Sequence, residues 1–449
     1  MSVNQQQLIS FKTRYDTMIS PLNLKIVVLT LLVMLGYNKV WSCSMYKLTA
    51  NGKTMVGNNE DSWGRDASIW FEQGSKDQFG VVCVGYKRKQ PHPDGAMNTC
   101  GLAFDAFTMP HKSNIPAKDS TKKDFAYADI KIIMQQCQTV EDVYNFLKDL
   151  NLHVLNGSVL FNGGMLFFAD KGGNYLVVEA SKMTMGKEDK FALANFSICD
   201  TKDLSTIHKA RYRKGIEFLN NKKLDVSLPF CTALSDTMCE NRAKVGDGTL
   251  YTNICDLNEG LVHLYFFHDY SRCVTFNLNE ELTKGNHTYS LNELFPDNTK
   301  FQQFLDYKTP QNSKPIFLFL VVCGLLFSFS GVYFLFSYFR GFTALNYLKF
   351  KIGVLSLTLS FYSFLLLRNE GIFYFPSPYD FHNASILGVF SYMPFVLLLA
   401  MIPLLISLVK VVQLKKCKNF ETGLFASNIL AYAIYIGLFV YWKLFDVFG

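Results

Sequence analysis

Four apolar stretches in the last third of the chain, at 316–339, 352–367, 386–409 and 424–440, contain no acidic residue. A helix needs about 20 apolar residues to cross the hydrocarbon core, so these segments have spanning or near-spanning length. The stretch 352–367 reaches it only if its flanks join the helix. The chain is therefore expected to fold this part in a bilayer. Overall, 49% of its 449 residues are hydrophobic and only 18% are charged, a low charged share for a soluble protein. That imbalance is local, because 43–313 reads as an ordinary globular domain.

The basic residues supply a topology. Arg340, Lys349 and Lys351 fall between the first two stretches, and Lys410, Lys415, Lys416 and Lys418 between the last two. The intervening loop, 368–385, holds one arginine. By the positive-inside rule the two basic loops are cytoplasmic, which puts everything before 316 outside. The net charge of +7 is thus a topology signal. No basic–aromatic interleaving argues for a nucleic-acid partner.

The N-terminus agrees. Residues 1–25 are polar and carry Lys12, Arg14 and Lys25, and 26–37 is an apolar run. Such a run suits the core of a secretory signal and is short for a span. Val40 and Ser42 fill the two small-residue positions that signal peptidase requires, placing the cut before Cys43. An uncleaved anchor stays open as the alternative. The expected organisation is a signal peptide over 1–42, an ectodomain over 43–305, and a membrane domain over 306–449. Its four helices fall at about 316–339, 350–367, 386–409 and 424–443. Of the 11 cysteines, eight lie in the ectodomain beyond Cys43, where disulfides are permitted. Parity alone assigns no pairing, and the absence of a CxxC pair argues against a zinc ribbon.

Local patterns make the ectodomain strand-rich, with helices. Two alternating runs flank Ala50-Asn51-Gly52-Lys53, and Asn-Gly is the strongest two-residue hairpin signal. Further strands are expected over 165–169, 175–179 and 261–267, with turn chemistry at 170–174. A helix is expected near 125–150.

A cysteine made N-terminal by processing carries a thiol and an α-amine on one residue. The amine's ordinary pKa of about 7.7–8.0 lets it take the thiol proton near neutral pH without a histidine. His111, His208 and His268 show no pairing pattern with Cys43. A lipoprotein signal also ends before Cys, but Trp41 stands where such signals want a small residue. Lipidation would block the amine.

Cys43-Ser44, the hairpin and Val56-Gly57-Asn58-Asn59-Glu60-Asp61 together resemble the opening of the choloylglycine hydrolase and penicillin V acylase family of N-terminal-nucleophile (Ntn) hydrolases. The resemblance runs through roughly 43–280. Gly95-Ala96-Met97-Asn98-Thr99-Cys100-Gly101-Leu102 is similar to the family's G-M-N-E-K-G-L turn. Leu193-Ala194-Asn195-Phe196-Ser197 is similar to L-T-N-S-P. Ala210-Arg211-Tyr212-Arg213 is similar to an S-R-F helix start, and Tyr251-Thr252-Asn253 to a Y-T-S hairpin.

The resemblance implies an α+β fold, a four-layer αββα sandwich, followed here by the all-α four-helix membrane region. It implies hydrolysis of linear carbon–nitrogen (amide) bonds through an acyl-thioester on Cys43, with no metal or organic cofactor. Asp61 would orient the N-terminal group, Asn195 would donate to the oxyanion, and Arg211 would order the site. Turn, sequon and solvated-helix readings compete at those three positions respectively. Asn58 and Thr108 align with substrate-contacting positions, but bile-salt hydrolases carry Arg and Asn there, so bile salts are not implied. Arg65 is a candidate for the missing positive charge. The expected substrate is a small-molecule or lipid N-acyl amide, with membrane lipid as surroundings and the oligomeric state left open. Two alternatives stand beside hydrolysis: acyl transfer from the same thioester, and a non-catalytic membrane-anchored binding or sensor protein. The lack of acids in the apolar stretches argues against ion-coupled transport.

Overall fold

A computed structural model of the chain describes residues 43–86, 92–109, 112, 115–157, 163–341, 345–376, 386–414 and 419–446. The expected signal segment over 1–42 with its expected cut, His111, Cys417, and Lys415, Lys416 and Lys418 lie outside these.

The first hairpin follows from its turn. Strand β1 (Ser44–Ala50) and β2 (Lys53–Ser62) pair around Asn51 and Gly52, whose φ values are 52° and 76°. Two successive positive φ angles are what a tight two-residue turn with the right twist requires. The turn fixes the register back to Ser44 opposite Asn59. Next come β3 (Ala67–Glu72), β4 (Val81–Tyr86), β5 (His92–Asn98) and β6 (Leu102–Met109), then the short β7 (Lys123–Asp124) and β8 (Leu150–Asn151). The sequence continues with β9 (Gly163–Asp170), β10 (Tyr175–Glu179), β11 (Lys182–Gly186) and β12 (Lys190–Ala194). It ends with β13 (Gly248–Asp256), β14 (Leu261–Phe266), β15 (Asp269–Asn277) and β16 (His287–Ser290).

Two antiparallel sheets result, one ordered β12-β1-β2-β13-β14-β15 and one β11-β10-β9-β6-β5-β4-β3-β16. Helices cover both outer faces. The helix expected near 125–150 is two, α1 (Asp129–Gln136) and α2 (Val140–Leu147). Cys137 is extended and ends the first, and Thr139 with Asp142 forms a capping box that starts the second, satisfying two end N–H groups. Both pack on the eight-stranded sheet. Helices α3 (Ala210–Asn221) and α4 (Leu228–Met238) cover the six-stranded one.

Alternation divides the core accordingly. Trp70, Leu102, Phe104, Leu166, Phe168, Leu176 and Val178 turn to α1 and α2. Ile69, Phe71, Val82, Val84, Ala103, Phe107 and Phe167, one residue out of step, turn to the other sheet, where Met45 and Val56 belong to the same core. The part of the chain before the long apolar helices is thus a four-layer αββα sandwich of α+β class. Helix α5 (Thr299–Asp306) closes it.

Four long apolar helices follow: α6 (Lys314–Arg340), α7 (Asn346–Arg368), α8 (Met393–Leu414) and α9 (Asn419–Tyr441). All are long and apolar enough to cross a membrane. The second gains its length from both flanks of 352–367. The expectation of acid-free spans needs correction, because α9 starts earlier than its apolar stretch and takes in Glu421. That carboxylate is buried and pairs with Lys349 Nζ at 2.8 Å. A polar ladder continues along the helices: Asn428 Nδ2 donates to Ser330 Oγ (2.8 Å), and Ser356 and Ser363 bond Tyr432 and Tyr435 (both 2.7 Å). In lipid the hydrophobic effect does not drive helices together, so hydrogen bonds and close packing hold the bundle. A side chain at Gly331 would meet Leu357 at 2.6 Å. Glu421 is thus held by Lys349 and by the Ser337 hydroxyl at 3.2 Å.

Candidate active site

Cys43 stands at the head of β1 and is 2% exposed. The neighbouring pairs Ser44–Asn59 and Ser44–Ala194 place it between β2 and β12. Continuing each register by one residue sets Glu60 on one side of Cys43 and Asn195 on the other. The thiol donates to Glu60 Oε2 at 3.0 Å.

Asp61 lies on the opposite face of β2, toward the helical layer. Arg211, in the first turn of α3, donates to its Oδ2, and Thr249 Oγ donates to its Oδ1 at 2.6 Å. Arg211 also reaches Asn195 Oδ1 at 3.3 Å, and Asn195 Nδ2 donates to the Thr108 carbonyl at 2.8 Å. Asp61, Arg211, Asn195 and Thr108 are thus one connected set beside Cys43. Arg211 is 6% exposed, so the basic run around it is not a uniformly solvated face. Thr108 enters the set through its backbone carbonyl. Asn58 sits opposite Asn253 and faces the space between the sheets. Among the described residues neither of its amide atoms has a hydrogen-bond partner, nor have Asp105 Oδ1, Asn253 Oδ1 and Tyr251 Oη.

Arg65 is not part of this site. Its guanidinium donates to the carbonyls of Leu305 (2.7 Å), Phe304 (3.1 Å) and Tyr307 (2.9 Å). It caps the C-terminal end of α5, where a helix leaves carbonyls unpaired. The residue the motifs missed is Glu60. Its signal was available, because a two-residue turn at Asn51-Gly52 counts back to Cys43 opposite position 60.

The electrostatics are those of a resting thiol. Burial pushes the Cys43 thiol well above its ordinary range, and the charges of Glu60 and Asp61 push it further. Burial likewise raises Glu60, with Asp94 adding to it. Asp61 is raised to about 6 by burial, while Arg211 and Arg242 hold it down. Asp105 is raised by burial and then by Asp94.

Glu60 gives a prediction with a definite sign. An unfolded glutamate loses its proton near pH 4.3, whereas folded Glu60 keeps it to higher pH. The folded state then binds more protons, so this group's contribution falls as pH rises above the unfolded value. The slope approaches about 1.4 kcal/mol per pH unit for one proton. In the unprocessed chain, Glu60→Gln is expected to raise the melting temperature at pH 7.5 and leave it unchanged at pH 4. Equal melting temperatures at both would show that Glu60 is ionised in the fold.

No family model matches the chain, and no curated protein does. Among solved structures it is similar to a variant of the conjugated bile acid hydrolase from Clostridium perfringens, with 16% identity and a TM-score of 0.47 over 57% of this chain and 99% of that one. A second mutant of that hydrolase gives 15% and 0.42 over 57% and 97%. The penicillin V acylase from Agrobacterium tumefaciens gives 13% and 0.36 over 50% and 82%.

Proposed function

We propose that the protein is a cysteine-type N-terminal-nucleophile hydrolase that cleaves N-acyl amides on the extracytoplasmic side of a membrane. The observation that carries this reading is the placement of Cys43 between Glu60 and Asn195, beside the Asp61–Arg211 pair.

The cut before Cys43 supplies what the unprocessed site lacks. Two carboxyl groups neighbour the thiol and oppose thiolate formation. Release of the α-amine puts a base, and when protonated a positive charge, on the nucleophile's own residue. The amine takes the thiol proton as Sγ attacks the amide carbonyl carbon. The tetrahedral oxyanion is met by the remaining N–H of Asn195 and a backbone N–H. Collapse breaks the C–N bond, and the leaving amine takes the proton from the α-ammonium. Water, deprotonated by the α-amine, then attacks the thioester, and the acid leaves as the thiol regains its proton. Asp61 and Arg211 position these groups.

The substrate assigned is a lipid N-acyl amide. Its support is that Trp63, two residues after Asp61, stacks at 4.7 Å on Tyr374, which lies between two helices long and apolar enough to cross a membrane.

The test is the mass of the mature N-terminal peptide together with turnover of a panel of N-acyl amides. A free Cys43 at the first position and release of acid plus amine are expected. A start at Met1, a lipidated Cys43, or a processed and folded protein without turnover would overturn the proposal.

A further inference from the structure

The ectodomain and the membrane helices meet through one buried turn. Between α7 and α8, Gly371–Tyr374 forms a single helical turn with every residue buried. Its rings lie against the end of β2. Trp63, the residue after β2, stacks on Tyr374 with an interplanar angle of 14°. The Arg242 guanidinium lies 4.7 Å from the centre of the Phe375 ring, within cation–π range. Lys244 Nζ donates to the carbonyls of Ile372 and Phe375 at 3.2 and 3.3 Å. Lys443, just past α9, donates to the Lys244 carbonyl at 2.8 Å.

The same ectodomain residues lead to the site. Trp63 Nε1 and Arg242 Nη1 both donate to Asp247 Oδ2, at 2.7 and 2.6 Å. Asp247 is fully buried and directly precedes β13. There Gly248 pairs with Ser62 and Thr249 with Asp61, and the Thr249 hydroxyl holds Asp61.

We propose that the membrane region's turn Gly371–Phe375 is a positioning element of the active site: it seats Trp63 and Arg242 on Asp247 and so fixes Asp61 beside Cys43. The inference rests on the amide-hydrolase reading. Anchoring alone needs only apolar helices. It does not need rings from the membrane region packed on the Arg242–Asp247 pair and on Trp63, two residues from the carboxylate that orders the nucleophile. With Tyr374 removed, Trp63 loses its stacking partner, and with it the constraint that aims its N–H at Asp247. Arg242 then has an alternative in Glu240, already 3.9 Å away.

The charged and titratable groups facing Asp61 are Arg211 from α3 and Arg242, Glu240 and Cys239 from the segment after α4; Glu60 and Cys43, on the other face of the hairpin, act on it through the sheet. Of these, Arg211 and Arg242 favour its ionised form. Displacing Arg242 therefore raises the proton affinity of Asp61. The acid limb of kcat/KM moves to higher pH.

The experiment uses the full chain in nanodiscs with Tyr374→Ala, Tyr374→Phe and Trp63→Phe, assayed on the N-acyl amide that the parent turns over best. Tyr374→Ala is expected to lower kcat by up to about a hundredfold, as a misplacement of about 1 Å does, with KM little changed. Its acid limb shifts upward, and Tyr374→Phe restores both properties. Trp63→Phe keeps the stacking but loses the N–H to Asp247, and it shifts the limb with the turn intact. A folded Tyr374→Ala protein with the parent's kcat and acid limb would overturn the inference. If that variant does not fold, an unshifted limb in Trp63→Phe does so instead. A processed, folded parent with no amide turnover sinks the hydrolase reading itself. The pH dependence of Cys43 alkylation by iodoacetamide in the same variants then decides the turn's role, an unshifted profile counting against it.

Discussion

Cys43→Ser is expected to fold, to be processed, and to lose amide turnover by on the order of 10³-fold or more. The change swaps one atom in a buried position, so packing is nearly preserved. A hydroxyl is a far weaker acid than a thiol, and the site already opposes an anion there through burial, Glu60 and Asp61. The α-amine would have to remove a much less acidic proton in surroundings that penalise the product. A companion variant separates nucleophile from base. Ser42→Arg removes the small residue that the signal peptidase requires, so the chain stays uncut and the Cys43 nitrogen remains an amide. This protein keeps its thiol and is expected to be as inactive as Cys43→Ser. Purified protein of each variant is assayed for released amine, with the N-terminal mass checked in parallel. Full turnover by uncut Ser42→Arg would show that another group, with Glu60 nearest, serves as base.

Much of this was legible in the sequence, for physical reasons. Asn51-Gly52 fixes a turn type, and the turn type fixes a register that aligns Cys43 with Glu60; Asn195 is brought to the other side only by the long-range pairing of β1 with β12. Short apolar runs at 165–169 and 175–179 mark buried strands, and long unbroken apolar runs mark the helices long enough to cross a membrane. What stayed hidden depends on contacts distant in the chain. Nothing local to Arg65 says that its guanidinium will meet the end of a helix some 240 residues later. Nothing in Arg-Tyr-Arg-Lys tells Arg211, which is buried, from Arg213, which is exposed; only packing of α3 on the sheet does. Glu421 was missed because hydropathy defines the apolar core of a span, whereas the helix starts a turn earlier. The single helix read over 125–150 fails at Thr139, whose capping box with Asp142 is itself a start signal in the sequence.

The second large effect concerns Arg211 and is first one of stability. The Arg211–Asp61 pair is buried on both sides, at 6% and 2% side-chain exposure. Removing one partner of such a pair leaves an uncompensated charge, which costs about 3–5 kcal/mol. Arg211→Met keeps the apolar stem and deletes only the charge. Its melting temperature is expected to fall on the order of 10 °C at pH 8, with turnover lost as Asn195 and Asp61 are no longer held together. The pH dependence identifies the cause. Asp61 already titrates near 6 in the fold, and loss of Arg211 raises it further, above the unfolded value of about 3.9. A raised carboxyl retains its proton in the fold, so the associated destabilisation grows as pH rises from that unfolded value through the folded one. The deficit of Arg211→Met is therefore largest at pH 8 and narrows toward pH 5, where Asp61 is protonated in the variant. Adding Asp61→Asn removes the stranded charge and should recover most of the lost stability without recovering turnover, the pattern of two directly coupled residues. A deficit independent of pH, or a double variant no more stable than Arg211→Met, would mean that Arg211 acts through packing of its stem on the sheet rather than through the carboxylate beside the nucleophile.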